Sequence, residues 1–486
     1  MKKPDTARLV QAAWGLHALL ARLCLPLGVL LALALSAGTA ALNVSAGPLG
    51  NLNDIGGWNN RLLFILMTAA VQAGVLFLCA LMHRGSMGRL AMRQIMLTVG
   101  LLILLMGINQ KTYVYVQIAQ PIVRAMDTGG LAVGLAMEST LSAPALTLLY
   151  AVTRGPVYDM YLVKLLAIAC VLLTALLAVR AADARGWGIR ADALLALLMI
   201  LPQAFLQGGC AVLLELVCVL LLACALAAMD GTKPHPLAAA LCFGGAVAVS
   251  GVALYALPVL ILWTRQGRLR ARHWGAAVAV PLLALIPALL SGMGAGDALL
   301  SLLRANLSMP QYAAGSPGFM SIIPRANPLE MPQYFMLRRV EELDLVTNAQ
   351  PFYTQAHFEQ VMRGLIVAAP AVYAALAAWL LGRRDMSPLR RAMALVLAAL
   401  YFCPAATMGA WLALDVLCVM ALVREPRLRL PACILLFATA GAGCYPVTEE
   451  VLLPVAASWA LCGAALCMLM GIIPIGREKK EAVADE

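Results

Sequence analysis

Two kinds of charged side chain in this sequence could do chemistry. Carboxylates such as Asp54, Asp127 and Glu138 could accept a proton from a hydroxyl group, as a general base does. Basic side chains could hold an anionic group, and the candidates are Lys111, Arg325, Arg338 and Arg339. Simpler roles stay open, because Asp54 and Asp127 both precede glycines, as turn or capping residues do. The arginines could equally contact lipid phosphates or lie on a solvated helix face.

Three further ionisable residues lie inside or beside long apolar stretches. They are Lys164, Glu215 and Asp415. Burying such groups in a membrane is costly, so each is a candidate for a functional role. A structural polar pair is an equal alternative, and Lys164 could also extend its amine to the membrane interface.

The elements that must position these residues are membrane helices. Hydrophobic residues make up 63% of the 486 positions and charged residues only 12%, which a soluble domain cannot accommodate. Apolar runs of about 20 residues recur along the chain. The sequence therefore predicts an all-α, polytopic helical membrane protein. Its first run, 19–42, is long enough to span and lacks a clear cleavage site.

Charge and cysteine usage exclude several other classes of protein. The net charge of +11 comes from cations in short loops between apolar runs, which is a topology signal rather than a nucleic-acid surface. The 13 cysteines lie almost entirely inside apolar runs, and the five histidines have no ligand spacing. We therefore expect no disulfide framework, no metal site, no evident cofactor and no nucleic-acid partner.

The basic loops predict how the chain crosses the membrane. We expect about 13 or 14 spans, at 19–42, 61–82, 92–109, 160–180, 191–206, 209–229, 236–249, 252–264, 274–293, 362–382, 390–404, 409–423, 429–444 and 451–474. This arrangement places the basic loops and both termini on the cytoplasmic side, in a membrane that we expect to be the bacterial cytoplasmic membrane. It requires 236–264 to break into two short helices around Ser250–Gly251.

Four stretches between about residues 92 and 474 carry a resemblance to a known family. They are "YVYVQIAQPIVRAMDTGGL" from Tyr113, "LPQAFLQGGCAVLLELVCVLLL" from Leu201, "AVAVSGVALYALPVLILW" from Ala246 and "YFCPAATMGAWLALDVLCVMALV" from Tyr401. In order and spacing they resemble the GT-C superfamily of integral-membrane glycosyltransferases, in particular the bacterial relatives of the GPI mannosyltransferases. Those enzymes move a sugar from a polyprenyl-phosphate donor to an acceptor on the outer face.

The resemblance implies a GT-C-like domain over 92–474. An extra two-helix region precedes it at 1–91, and a charged cytoplasmic tail follows it at 475–486. The first outer loop would be 110–140 and the long outer loop 295–361. A loop as long as the second one is usually functional or a packed lid.

The resemblance also implies that this chain lacks the family's catalytic groups. The two family aspartates fall on Thr112 and Ala211, and the family Met-His-Glu-Arg-Tyr segment falls on 406–410, "ATMGA". Such residues cannot orient or deprotonate an acceptor hydroxyl, nor stabilise a leaving phosphate. Candidate substrate-binding residues remain at Lys111, Lys164, Arg338, Arg339 and Asn348.

Three hypotheses follow from this pattern. The first is a GT-C-like protein with a degenerate active site, which binds a polyprenyl-phosphate sugar or assists envelope-glycan assembly proteins in the presence of membrane lipids. The second is an active, mannosyltransferase-like enzyme whose catalytic acid has moved to Asp54 or Asp127. The third is a transporter of a lipid-linked substrate, which is less favoured because the spans offer few polar groups and no visible inverted repeat.

Overall fold

The computed structural model describes 120–137, 141–154, 159–210, 214–230, 234–303, 316–318, 355–383, 385–403, 406–443 and 455–474, with nine positions between 93 and 107. Within these ranges, residues lie in helices, turns or short connections, and no strand occurs. The predicted all-α class is therefore confirmed for the described part of the chain.

Fifteen α-helices lie in the described ranges. The first seven are α1 (Gln120–Ala136), α2 (Ala143–Thr153), α3 (Asp159–Ala184), α4 (Ile189–Met199), α5 (Glu215–Asp230), α6 (Pro236–Val249) and α7 (Leu257–Arg265). The other eight are α8 (Ala271–Ala284), α9 (Ile286–Leu290), α10 (Ala295–Ser301), α11 (Gln355–Gly382), α12 (Pro388–Phe402), α13 (Met408–Arg424), α14 (Arg429–Gly443) and α15 (Val455–Met470). A π-helix at Ala204–Cys210 and 3₁₀ turns at Gly251–Ala256 and Pro426–Leu428 complete the set.

Serine caps followed by proline begin two of these helices. The Ser142 hydroxyl accepts from the backbone N–H of Ala145 before α2, and the Ser387 hydroxyl accepts from that of Arg390 before α12. Each bond satisfies one of the N–H groups that have no partner at a helix start. Proline at the first or second position is tolerated there because its missing N–H is not needed.

The predicted break between 236–249 and 252–264 is confirmed. Helix α6 ends at Val249, and Ser250 has an extended backbone with φ −148° and ψ 130°. Its hydroxyl also receives the N–H of Val252, which begins the 3₁₀ turn that leads into α7. The side chain of Ser142 fixes the break from outside, since its hydroxyl donates to the carbonyl of Ala248 at 2.6 Å.

Three helical stretches in the described part are long and apolar enough to cross a membrane: Leu162–Ala184, Ala271–Leu290 and Gly364–Gly382. A fourth candidate is the pair formed by α4 and the π-helix, which are bent by 55° at their junction. Five further apolar helices have only 10–17 residues. The larger predicted count of about 13 or 14 spans stays a prediction.

Helix ends whose loops we assigned to one side of the membrane meet in the structure. Arg93 bonds to Asp183 just before the end of α3, and Ser387 before α12 donates to Glu425 after α13 at 2.8 Å. The guanidinium of Arg424 lies 5.8 Å from the ring centroid of Trp187. These contacts agree with a common side for the four loops.

Several predicted segments lie mostly or wholly outside the described residues, and one predicted loop contains a helix. The two-helix region 1–91, the tail 475–486 and most of the long loop 295–361 lie outside the described residues. The segment assigned to the first outer loop, 110–140, contains helix α1.

Candidate functional site

A fully buried π-helix follows α4. Its residues, Ala204–Cys210, are all buried, and they follow α4 after the 55° bend. Short π-helical turns are rare and occur frequently at functional sites. This one coincides with the second stretch of the GT-C resemblance, where Gln207, Gly208 and Cys210 lie.

Glycine is required in the π-helix because two backbones meet there. A Cβ added to Gly209 would lie 2.5 Å from the carbonyl oxygen of Leu104, and one added to Gly107 would lie 2.6 Å from the carbonyl carbon of Gly209. Side chains at these positions would force the segment 93–107 away from the π-helix. The close approach leaves Gly209, the family's glutamine position, without room for a side chain.

Lys164 bonds to the backbone at this contact between Gly107 and the π-helix. Its side chain is fully buried, and its amine donates a 2.8 Å hydrogen bond to the carbonyl oxygen of Gly107. The amine therefore does not extend to the interface, which was one of the alternatives for this residue. A lysine with little solvent contact that bonds a backbone carbonyl acts as an internal link between α3 and the segment 93–107.

Two buried glutamines lie one turn apart. Gln203 directly precedes the π-helix, and Gln207 lies within it. Gln207 donates from its amide nitrogen to the carbonyl oxygen of Gly443 at 3.3 Å, at the end of α14. Gln203 packs against the same glycine, because a Cβ on Gly443 would collide with its amide oxygen. Among the described residues, neither amide atom of Gln203 has a hydrogen-bond partner, and neither has the oxygen of Gln207.

Asp415 completes this group from α13. Its side chain is fully buried, and one carboxyl oxygen accepts from the hydroxyl of Thr439 at 2.8 Å. The other oxygen has no partner within the described part of the chain. Thr439 and Gly443 are four residues apart on α14, so they lie on one face of that helix. The same helix end therefore contacts both Asp415 and Gln207.

We call Lys164, Gln203, Gln207, Asp415 and Thr439 the polar core. It joins the second and fourth of the stretches that carry the resemblance, because Leu412 and Val419 of α13 belong to the same hydrophobic cluster as the π-helix and α3. The group offers an amine, a carboxyl, two amides and a hydroxyl, all of them buried. Such a set can fix helices relative to one another, and it leaves amide and carboxyl oxygens available as acceptors.

Sequence reasoning singled out Lys164 and Asp415 but missed the two glutamines. Gln203 and Gln207 carry no charge, so they do not stand out among the basic and acidic residues. Their spacing of four residues within an apolar stretch was the available signal, since such residues share one helix face.

Asp127 lies within α1, where its side chain is exposed. The expectation of a turn or cap at this residue is wrong, because the helix breaks only at Gly130, whose φ of 74° is left-handed. Next to Asp127, the carbonyl of Met126 accepts a 2.8 Å hydrogen bond from Arg154, which follows α2. This bond links α1 to α2. Asp127 is not part of the polar core.

The remaining predicted site residues lie outside the described residues. They are Asp54, Lys111, Glu138, Arg325, Arg338, Arg339 and Asn348, together with the family positions Thr112 and Ala211. The exception is Glu215, which begins α5 and is half-buried. Within the described residues, no group of three or more histidine, cysteine, aspartate or glutamate side chains could hold a metal ion.

Comparisons of this chain with protein-family models, curated proteins and solved structures found no match. The GT-C resemblance therefore stays a prediction from the residues quoted above.

Proposed function

We propose that this chain is a GT-C-like integral-membrane protein that binds a polyprenyl-phosphate sugar, or assists a partner in outer-surface glycan assembly, without transferring the sugar itself. The proposal includes a polytopic arrangement in a bacterial cytoplasmic membrane with both termini in the cytoplasm. It rests on the local chemistry of the resembling stretches, because an architecture alone does not determine a function.

The observation that carries the proposal is the packing at the positions where the family has its active groups. Gln207, Gly208, Gly209 and Cys210 are buried inside the π-helix. Gly209 faces the backbone carbonyl of Leu104 with no room for a Cβ atom. A sugar donor needs an accessible base and a cation for its phosphate, and buried glycines supply neither.

The start of α13 is also closely packed and lacks catalytic groups. Ala406, Met408, Gly409 and Ala410 are buried, and the indole of Trp411 donates to the hydroxyl of Ser316 at 3.0 Å. These side chains contribute packing where the family's segment contributes a histidine, a glutamate and an arginine. An apolar core at this position favours a scaffold over a sugar-transfer site.

The ionisable groups that remain nearby are engaged in the protein interior. Lys164 bonds Gly107, and Asp415 bonds Thr439. Neither side chain is exposed, so neither can contact a phosphate at the membrane surface without a rearrangement. Their present contacts stabilise the helices, which supports a binding or assembly role.

The test is a combined binding and turnover experiment on the full chain in nanodiscs. The protein is offered a panel of polyprenyl-phosphate sugars with and without acceptor glycans, and bound lipid and released polyprenyl phosphate are measured. We expect binding without release. Acceptor-dependent release would refute the loss of catalysis, and the absence of binding would refute the donor-binding role.

The alternative of an active enzyme with a relocated base keeps one supporting observation. Asp127 is an exposed carboxylate in a segment that we assigned to the outer face. Asp127→Asn would abolish release of polyprenyl phosphate if this carboxylate were the base, and Asp54→Asn tests the other candidate. Asp385→Asn is the control, because Asp385 is also exposed but lies in a loop assigned to the opposite side.

A further inference from the structure

An apolar cleft of about 430 Å³ lies among α3, α5, α7, α12 and α13. No member of the polar core lines it, and its walls consist mostly of aliphatic side chains such as Leu177, Leu222 and Leu417. The volume falls within the range of about 300–1,000 Å³ that is typical of small-ligand sites. The composition of the walls indicates a hydrocarbon occupant.

The length of the cleft matches half a bilayer. Along α3 it is lined from Thr174 through Ala178 to Arg185. The eleven residue-to-residue steps from Thr174 to Arg185 span roughly 16 Å at the rise of an α-helix. The hydrocarbon core of a bilayer is about 30 Å thick, so a cleft of this length reaches from one surface to the middle. It is long enough for one acyl chain from a single leaflet.

One end of the cleft is cationic. Arg185 and Arg268 both line it, both are exposed, and they follow the C-terminal ends of α3 and α7. These ends lie close together, because α3 packs along α5, and Met229 at the end of α5 belongs to one cluster with Trp263 of α7. Two guanidinium groups at the mouth of an apolar cleft are complementary to a lipid phosphate attached to its chain.

The cleft also opens sideways. Leu226 of α5 lines it, although 52% of this residue is exposed. Its neighbours on the same wall, Leu222 and Ala223, are half-buried, so the exposed Leu226 marks an entrance facing the membrane. A chain can therefore enter from the bilayer without crossing the polar surface.

We infer that the cleft binds an anionic phospholipid, with one acyl chain between α3, α5 and α7 and the phosphate between Arg185 and Arg268. Both arginines belong to loops that we assigned to the cytoplasmic side, so the lipid comes from the inner leaflet. The site lies at the opposite membrane face from a sugar donor on the outer surface. It is therefore independent of the proposed function.

The test is native mass spectrometry of the full chain in detergent, titrated with phosphatidylglycerol or with phosphatidylcholine carrying the same acyl chains. We expect the wild type to retain phosphatidylglycerol preferentially. The double variant Arg185→Gln/Arg268→Gln should bind it about 30-fold more weakly, as expected for the loss of two arginine–phosphate contacts. The double variant Arg190→Gln/Arg265→Gln removes the same charge from exposed positions outside the cleft and should bind as the wild type does.

A second pair of variants separates insertion from adsorption. Ala178→Phe fills the cleft at constant charge and should weaken phosphatidylglycerol binding, whereas Ala184→Phe on an exposed position of α3 should not. Equal binding of both lipids, or loss of binding in neither the arginine pair nor Ala178→Phe, would overturn the inference. Binding that depends on the arginines but not on Ala178, or that inorganic phosphate displaces completely, would also overturn it, because it would mean surface adsorption alone.

Discussion

Replacing Arg93 tests how the segment 93–107 is held to the helix ends beside it. The guanidinium donates to Asp192 at 2.5 Å and forms a fork on Asp183 at 2.6 and 2.9 Å. The side chain of Asp192 is only 2% exposed, whereas those of Arg93 and Asp183 are 23% and 35% exposed. One guanidinium thus links the segment 93–107 to the end of α3 and the first turn of α4.

The burial of Asp192 determines how much the free energy of unfolding should fall when Arg93 is replaced. Removing one partner of a buried ion pair costs about 3–5 kcal/mol, and the partial exposure of Asp183 places Arg93→Gln at the lower end, about 3 kcal/mol. Arg93→Lys retains the charge but cannot form the fork, so we expect a loss of about 1.5 kcal/mol. The exposed pair Arg383–Asp385, with side chains 40% and 64% exposed, supplies the control. Asp385→Asn should cost about 0–1 kcal/mol.

The assay is equilibrium unfolding in mixed micelles, with the free energy of unfolding obtained for each variant. A double variant Arg93→Gln/Asp192→Asn should cost less than the sum of its parts, because the two side chains interact directly. A loss for Arg93→Gln no larger than that for Asp385→Asn would refute the reasoning. Additive losses in the double variant would refute it as well.

Three further predictions concern the interior and use the same unfolding measurement. Gly209→Ala should lower the free energy of unfolding by about 1–3 kcal/mol, because the added methyl group overpacks the contact with Leu104. Gly364→Ala is the control and should raise the free energy of unfolding slightly, because Gly364 has open space around it. Equal effects of the two substitutions would contradict the close backbone contact at Gly209. Lys164→Met should cost about 1–3 kcal/mol, because a buried carbonyl loses its donor, and an unchanged midpoint would contradict this. Trp411→Phe and Ser316→Ala should each cost about 1 kcal/mol, and together little more, since both remove the same bond.

Patterns of charge and hydropathy predicted the all-α class and one detailed feature. The break at Ser250 followed from the arginines after Thr264, because a single long helix would have placed them on the outer side. The same logic grouped Arg93 with the loop around Arg185, and the structure brings Arg93 to Asp183 in that region. The pattern of basic loops did not predict that Arg93 bonds to Asp183. The positive-inside rule counts cations and does not consider which carboxylate each one contacts.

The polar core shows where sequence reasoning stops. The π-helix at Ala204–Cys210 contacts the backbone at Leu104 and Gly107, and no residue pattern within the π-helix specifies that neighbour. Asp127 illustrates the converse, since the pair Gly129–Gly130 suggested a turn but only Gly130 breaks the helix. Local signals predict that a helix is interrupted, whereas the position of the interruption depends on packing.

The buried oxygens of the polar core also bear on why these residues are tolerated. In an apolar interior, an amide or carboxyl without a partner costs free energy that aliphatic side chains of similar size would avoid. Gln203 and Asp415 carry such atoms within the described part of the chain, yet both lie against α14 through Gly443 and Thr439. Directional bonds hold α13, α14 and the π-helix in one arrangement, which nonspecific apolar contacts do not. A protein that must keep its helices in a fixed register would retain these groups for their directional bonds.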